Sequence, residues 1–210
     1  MTRLSWGDLS TRHFEVGVDR GVLYPAIGAG VAWNGLVSVK DAPSDTNASS
    51  YYIDGVKYYN HQGPGSFAAI LEAYTYPDEF MPYDGILNSL LTQQPRRSFG
   101  LSYRTKIGND VDGTDHAYKI HLVYNASASP SKRTNSTLSK AIEAMLFSWS
   151  ITTVPISIPG HRPSAHLIID TTSANSQAVA ALEDVLYGSD ILTPSLPWLA
   201  PLIALFEANE

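Results

Sequence analysis

The sequence predicts a mainly β fold with one packed α-helix, and three observations carry that prediction. The runs SFAAILEAYTYPDEF (66–80), FGLSYRTKIGND (99–110) and HAYKIHLVYNAS (116–127) are apolar and rich in β-branched or aromatic residues. Each ends in turn chemistry: Pro77-Asp78, Gly108-Asn109-Asp110 and Asn125-Ala126-Ser127. The run YYIDGVKYY (51–59) sets Asp54-Gly55 between two β-favouring arms, the strongest short-range signal for a two-residue type I′ hairpin. Finally, SQAVAALEDVLY (176–187) places Val179, Leu182, Val185 and Leu186 on one helical stripe, with Asn175 or Ser176 to cap it and Gly188 to end it.

In chain order, residues 1–12 form a polar arm with Leu4 and Trp6 as apolar anchors. Phe14, Val16 and Val18 alternate as a short strand, and Asp19-Arg20-Gly21 turns the chain into Val22-Leu23-Tyr24. Val31 to Val39 is a single extended run, with Gly35 as a bulge. Residues 40–50 carry little to bury and form a loop leading into the hairpin, whose register pairs Ile53 with Val56, Tyr51 with Tyr58 and Tyr52 with Lys57. Asp84 can cap a short helix over 84–98, ended by Pro95. Strands follow at about 99–106, 116–124, 145–153 and 165–171, with 128–137 as loop and a possible helical start over 138–144. The tail, 189–210, is too apolar at Trp198, Leu199, Leu202, Ile203, Leu205 and Phe206 to be left in water, so it docks on the domain or on a partner. A chain of 210 residues without a repeat is read as one domain, 1–210.

Composition narrows the function. Charged residues make up only 16% of the chain, against roughly 25% in an average globular protein. That leaves less solvated surface than a monomer usually shows. The net charge is −6, and the 14 Lys and Arg are scattered apart from Arg96-Arg97, which argues against tight nucleic-acid binding. With no cysteine there is neither a disulfide framework nor a thiolate metal site. The first residues lack an apolar signal-peptide core, and no run approaches 18 apolar residues, so neither secretion nor a membrane anchor is expected. The sequons at Asn47, Asn125 and Asn135 read as turn residues.

Motifs for chemistry fail one after another. Gly28-Ala29-Gly30 begins a dinucleotide fingerprint, but Trp33 stands where a third glycine belongs. Asp110, Asp112, Gly113 and Asp115 crowd one loop without EF-hand spacing, and Asp and Gly are also what a strand turn needs. His116 and His121, like His161 and His166, lie five apart on strands, so members of each pair point to opposite faces and cannot share a metal. No catalytic residue, metal site or cofactor is expected.

The segments YYIDGVKYYN, the 66–80 run, MPYDG (81–85), FGLSYRTKIGND, YKIHLVYNASASPS and FSWSITTVPI, in that order between about 51 and 155, resemble the major tail tube proteins of long-tailed actinobacterial phages. The stretch NSTLSKAIEAML (135–146) departs from the family, which often has more Pro and acidic residues there. The resemblance implies a two-sheet β-sandwich that closes into a hexameric β-barrel ring, with rings stacked through the arm and the 40–60 loop and hairpin. It implies a structural role in the virion tail, assembled in the host cytoplasm beside tape measure and terminator proteins, with DNA passing through the lumen without specific binding. Candidate inter-subunit contacts are Trp6, Tyr52, Ile53, Val56, Tyr58, Tyr76 and Phe80. Glu72 shares a strand face with Ile70 and Tyr74, opposite Phe67, Ala69, Leu71 and Ala73. A lone carboxylate on so apolar a strand should face water, a partner cation or the lumen. Alternatives are a carbohydrate- or receptor-binding β-sandwich, supplied with a platform by 12 Tyr and 4 Trp, and a related ring former such as a terminator or distal tail protein.

Overall fold

The computed structural model describes residues 6–9, 12–42, 49–61, 65–87, 90–133, 135, 137 and 144–207. Leu4 in the arm, the middle of the 40–50 loop and the helical start over 138–144 lie wholly or largely outside these residues. Among the described residues there are ten strands: β1 Phe14–Tyr24, β2 Val31–Ala32, β3 Leu36–Asp41, β4 Ser49–Ile53, β5 Val56–His61, β6 Ala68–Ala73, β7 Phe99–Asn109, β8 Gly113–Pro130, β9 Phe147–Thr153 and β10 His166–Asp170. Helices are α1 Met81–Asp84, α2 Ser176–Tyr187 and α3 Leu199–Glu207. The chain is mainly β, and its strand pairs are antiparallel.

The two layers expected of a sandwich are arms of one sheet. Its order is β2-β1-β7-β8-β9-β6-β3, with β10 added on β8, while β4 and β5 form a separate hairpin. The reason is the 18-residue length of β8. Lys119 to Val123 pair with β10, whereas Ala126 to Pro130 pair with β9. The sheet bends across β8 so that Tyr103 on β7 donates to Asp41 on β3 at 3.3 Å. Among the described residues it does not close into a barrel.

Two bulges decide which side chains meet inside. On β8, Ile120, Leu122 and Tyr124 face the helices, while Val123 faces the space between the arms. Asn125 then adopts φ 49°, the register shifts, and Ala126 and Ala128 take over the inner face. One inserted residue reverses the alternation of every residue after it. The Asn125-Ala126-Ser127 turn expected from sequence is therefore a bulge inside a continuous strand. The same correction applies to Asp19-Arg20-Gly21. Arg20 has φ 46°, β1 runs unbroken from Phe14 to Tyr24, and the inner face passes from Val18 to Leu23. Gly35 does the opposite. At φ 83° it turns the chain between β2 and β3, which join different neighbours, so the 31–39 run is two strands.

The inner core is aromatic. Phe80 is fully buried, its ring 4.6 Å from Trp33, 5.2 Å from Trp149 and 5.4 Å from Phe99. Tyr76 packs edge-on against Phe147 at 5.3 Å and Trp149 at 5.5 Å. Each such pair adds about 1 kcal/mol beyond its buried area. Phe80, expected at a contact between copies, is thus fully buried inside this chain, and Tyr76, expected there too, is half-buried against the same core. Asp84 is also buried. It accepts from Trp149 Nε1 at 2.8 Å and from Arg133 at 2.6 Å. Its carboxylate is committed to the core and does not start a helix. Gly85 at φ 80° ends α1 instead, and the expected helix over 84–98 is absent from its described residues, where Leu87 and Leu91 form an isolated bridge.

The outer core is aliphatic. Val179, Leu182 and Leu186 of α2 and Leu199 and Leu202 of α3 pack on Val22, Ile120, Leu122 and Ile169. Asn175 Oδ1 caps α2 by accepting from Gln177 N at 2.9 Å and Ala178 N at 3.3 Å. Arg104 ties the layers together. Its guanidinium donates twice to Asp19, at 2.9 and 2.8 Å, reaches Glu183 on α2 at 3.4 Å and lies over the Tyr118 ring. Inside the bend, His121 stacks on Tyr103 at 4.5 Å. Its Nε2 meets Thr105 Oγ1 at 3.0 Å and its Nδ1 meets His166 Nε2 at 3.2 Å. Burial, then the neighbouring His166, pushes His121 down from 6.5 to about 4, and burial lowers His166 too.

Asp84→Ala strands the buried Trp149 N–H and leaves the half-buried Arg133 without its carboxylate, and should destabilise the fold by about 3 kcal/mol in urea unfolding. The histidine pair gives a pH dependence. The unfolded chain takes protons that the folded pair refuses, so stability is fully present above pH 6.5 and falls as pH drops toward about 4. Thermal melts from pH 7.5 to 4.5 should show this fall, and His121→Gln should flatten it.

Candidate assembly surface

Residues 51–60 are all exposed. The Asp54-Gly55 turn has φ 50° and 77°, the doubly left-handed geometry of a type I′ turn, which matches the twist of the flanking strands. Ile53 pairs with Val56 and Tyr52 with Lys57, as the turn dictates. The next pair is Tyr51 with Tyr59, not Tyr58, because a register shift leaves Tyr58 as an extra residue on β5. The Tyr51 and Tyr59 rings stack at 6.3 Å, and Ser50 Oγ donates to Asn60 at 2.9 Å.

Six large apolar or aromatic side chains on this ribbon are more than half exposed: Tyr51, Tyr52, Ile53, Val56, Tyr58 and Tyr59. Two strands alone are marginal in water, and this pair joins no other strand among the described residues. The ribbon displays what a core normally hides, and an intermolecular contact is the economical way to cover it. Trp6 is 83% exposed and adds a second such group from the arm.

Glu72 lies on the outward face of β6. It accepts from Lys40 Nζ and Ser38 Oγ, both at 2.7 Å and both on β3. Those two hydrogen bonds, Lys40 first, hold its carboxyl below the usual range. The cation expected beside Glu72 is therefore supplied by its own chain. Around this pair the outward face is rich in hydroxyls. Ser148 sits opposite Glu72, Ser150 opposite Ile70 and Thr152 opposite Ala68, and Ser129 and Ser127 continue the rows on β8. The sequence reading missed this face because its residues come from four strands and no single run shows them together.

Grooves on the described surface are shallow and of mixed character. One of about 410 Å³ lies beside Arg104, Lys106 and Thr171, whose two cations already hold Asp19 and Asp115. No group of three His, Cys, Asp or Glu able to hold a metal occurs among the described residues. His121 and His166 meet across β8 and β10, a pairing that their spacing within each strand did not reveal.

No family model matches the chain, and no curated protein sequence matches it. Solved structures give distant likenesses. A chain of the anti-feeding prophage cap, a tube-terminating cap, aligns at 11% identity over 81% of this chain and 96% of that one, with a TM-score of 0.41. A chain of the extended sheath–tube complex of an extracellular contractile injection system aligns at 13% identity over 72% and 88%, with a TM-score of 0.40. A chain of the anti-feeding prophage baseplate aligns at 8% identity over 79% and 97%, with a TM-score of 0.38. TM-scores below 0.5 fall short of a shared fold, and the architecture described above stands on this chain's own strands.

Proposed function

We propose that this protein is the structural subunit of a phage tail tube: six copies close a ring, rings stack, and the genome leaves through the lumen. The observation that carries this reading is the exposed 51–60 hairpin, which presents apolar side chains that no strand among the described residues covers. The ordered segments between 51 and 155 that resemble tail tube proteins supply the kind of assembly it serves. On this reading Trp6, Tyr52, Ile53, Val56 and Tyr58 contact neighbouring subunits. The residues have structural roles only, and no cofactor takes part. The subunit assembles in the host cytoplasm with tape measure and terminator proteins and resides in the virion tail.

The hydroxyl-rich outward face of β3, β6, β9 and the end of β8 is the lumen wall in this proposal. Its one lysine, Lys40, is held by Glu72 at 2.7 Å, so it offers phosphate no free cation, and the chain's −6 charge favours repulsion over grip.

Negative-stain electron microscopy of the concentrated protein tests the proposal. Sixfold rings or tubes are expected. Single rings that never stack would favour a terminator, and monomers at every concentration, with or without other tail parts, would overturn the reading. Tyr52→Asp with Tyr58→Asp should leave the far-ultraviolet spectrum and melting point of the subunit nearly unchanged and reduce the assembled fraction at least tenfold. Glu72→Lys should still assemble but bind duplex DNA in a salt-sensitive way that the parent protein lacks at physiological salt. Equal DNA binding by the two proteins would remove Glu72 from the lumen wall.

A further inference from the structure

The two legs of the 49–61 hairpin are tied to one row of rings. One leg leaves the sheet at Asp41, the last residue of β3, whose carboxylate accepts from Tyr103 Oη at 3.3 Å. The other leg enters the sheet at Phe67, just before β6, and the Phe67 ring lies 4.1 Å from that of His166. Between these ends the row runs Tyr103, His121, His166. The first two rings stack at 4.5 Å and the last two at 5.4 Å. The bond between His121 Nδ1 and His166 Nε2, at 3.2 Å, closes the row.

That bond needs a donor nitrogen facing an acceptor nitrogen, so it is lost when both imidazoles are charged. The surroundings say where a proton would pull. Thr105 meets His121 from β7 and carries no charge. Glu15 on β1 favours a positive His121 and Lys119 on β8 opposes it, and these two already pair with each other. The Asp41 carboxylate favours a positive His166. Asp41 is exposed, so its carboxylate is free to turn. The backbones are not free. Ser164 Oγ accepts from His166 N at 3.3 Å and donates to His166 O at 2.9 Å, and β10 is paired along β8. At the sheet end, Thr153 Oγ1 donates to Phe67 O at 2.7 Å and Ala42 N to Ala68 O at 2.8 Å. Only side chains can answer the proton, and the Ala42–Ala68 bond is the pivot left between the legs.

We infer that the His121–His166 pair is a proton-operated latch on the hairpin: protonation turns the His166 ring off Phe67 toward the Asp41 carboxylate, draws that carboxylate from the Tyr103 O–H, and unties both legs at once. The sign follows from linkage. Rings turned out to water take protons at the ordinary histidine value of 6.5, and the closed pair refuses them, His121 down to about 4. The open form therefore gains as pH falls below 6.5. Opening is local, because the row excludes Phe80, Phe99 and Trp149, whose mutual packing holds the aromatic core. A hairpin loosened at both legs no longer presents its tyrosines in one place. The latch rests on contacts within one copy, and its effect on assembly rests on the tail-tube reading.

The chain contains no cysteine, so two introduced thiols take spin labels at known places. Lys57→Cys on the hairpin and Val111→Cys in the β7–β8 turn are both at exposed positions. Pulsed electron resonance on the dilute protein reads the distance between the labels. A narrow distribution is expected at pH 7.5 and a broad one at pH 5, while the far-ultraviolet spectrum is unchanged. His166→Gln can still bond His121 but takes no proton, and should stay narrow at pH 5. Asp41→Asn keeps an acceptor for Tyr103 and removes the charge that pulls His166, so it should start narrow and broaden about half a pH unit lower than the parent. Broadening that comes only with loss of the far-ultraviolet spectrum, or at the same pH in Asp41→Asn, would overturn the latch, as would a distribution that is the same at pH 7.5 and 5. In sedimentation, assemblies formed at pH 7.5 should lose about fivefold of their mass at pH 5 and recover at neutral pH. Assemblies indifferent to this change would overturn the regulatory inference and leave the tail-tube function standing. A parent protein that never assembles at any pH would overturn that function, and the label distances alone would then decide the latch.

Discussion

Strand β8 must serve two neighbours on the same edge, and one left-handed residue makes that possible. Before Asn125 the strand gives alternate residues to the aliphatic core under the helices and to the aromatic core inside the bend. After Asn125 the inner face is taken over by alanines, and β9 replaces β10 as the partner. Asn accepts positive φ at little cost because its short amide can bond locally. A β-branched residue here would be strained, and straightening the bulge would turn Ala126 and Ala128 outward. The bend of the sheet, the enclosure of Trp149 and the outward hydroxyl face all follow from this residue.

The buried polar groups do a related job. Asp84 holds Trp149 and Arg133, and Arg104 joins Asp19 on β1 to Glu183 on α2. Buried ion pairs return little net stability, because removing charges from water offsets most of their attraction. What they impose is discrimination: any packing that separates the partners leaves a charge or an N–H without a bond. Each network spans elements far apart in sequence, so each penalises a shifted assembly of the layers.

Features encoded by neighbouring residues were legible in the sequence. Asp54-Gly55 specified its own turn, and the pairing of Ile53 with Val56 and Tyr52 with Lys57 followed from the chemistry of four consecutive positions. Asn175 and Gly188 flanked α2 in the sequence and flank it in the fold. What stayed hidden depended on partners elsewhere in the chain. Asn125 and Arg20 sit among residues that suit a turn and a bulge equally, and only the neighbouring strand decides between them. Phe80 reads as a contact between copies until Trp33, Phe99 and Trp149 close around it. Asp84 has the chemistry of a helix cap and is claimed by an indole. In the hairpin, one shifted residue moved Tyr59 into the place assigned to Tyr58. The outward hydroxyls and the His121–His166 pair were invisible because each is assembled from several strands.

The sharing of β8 between two cores also bears on how the molecule comes apart. Ile120 and Leu122 are anchored under the helices, and Val123, between Leu122 and Tyr124, is anchored in the aromatic core. A fluctuation that detaches α2 and α3 uncovers one side of a strand whose other side still holds the bend together. One that opens the bend pulls on residues still gripped by the helices. Neither half contains enough independent structure to form a separate foldon. Although it has two chemically distinct interiors, the protein is built to unfold in a single cooperative step.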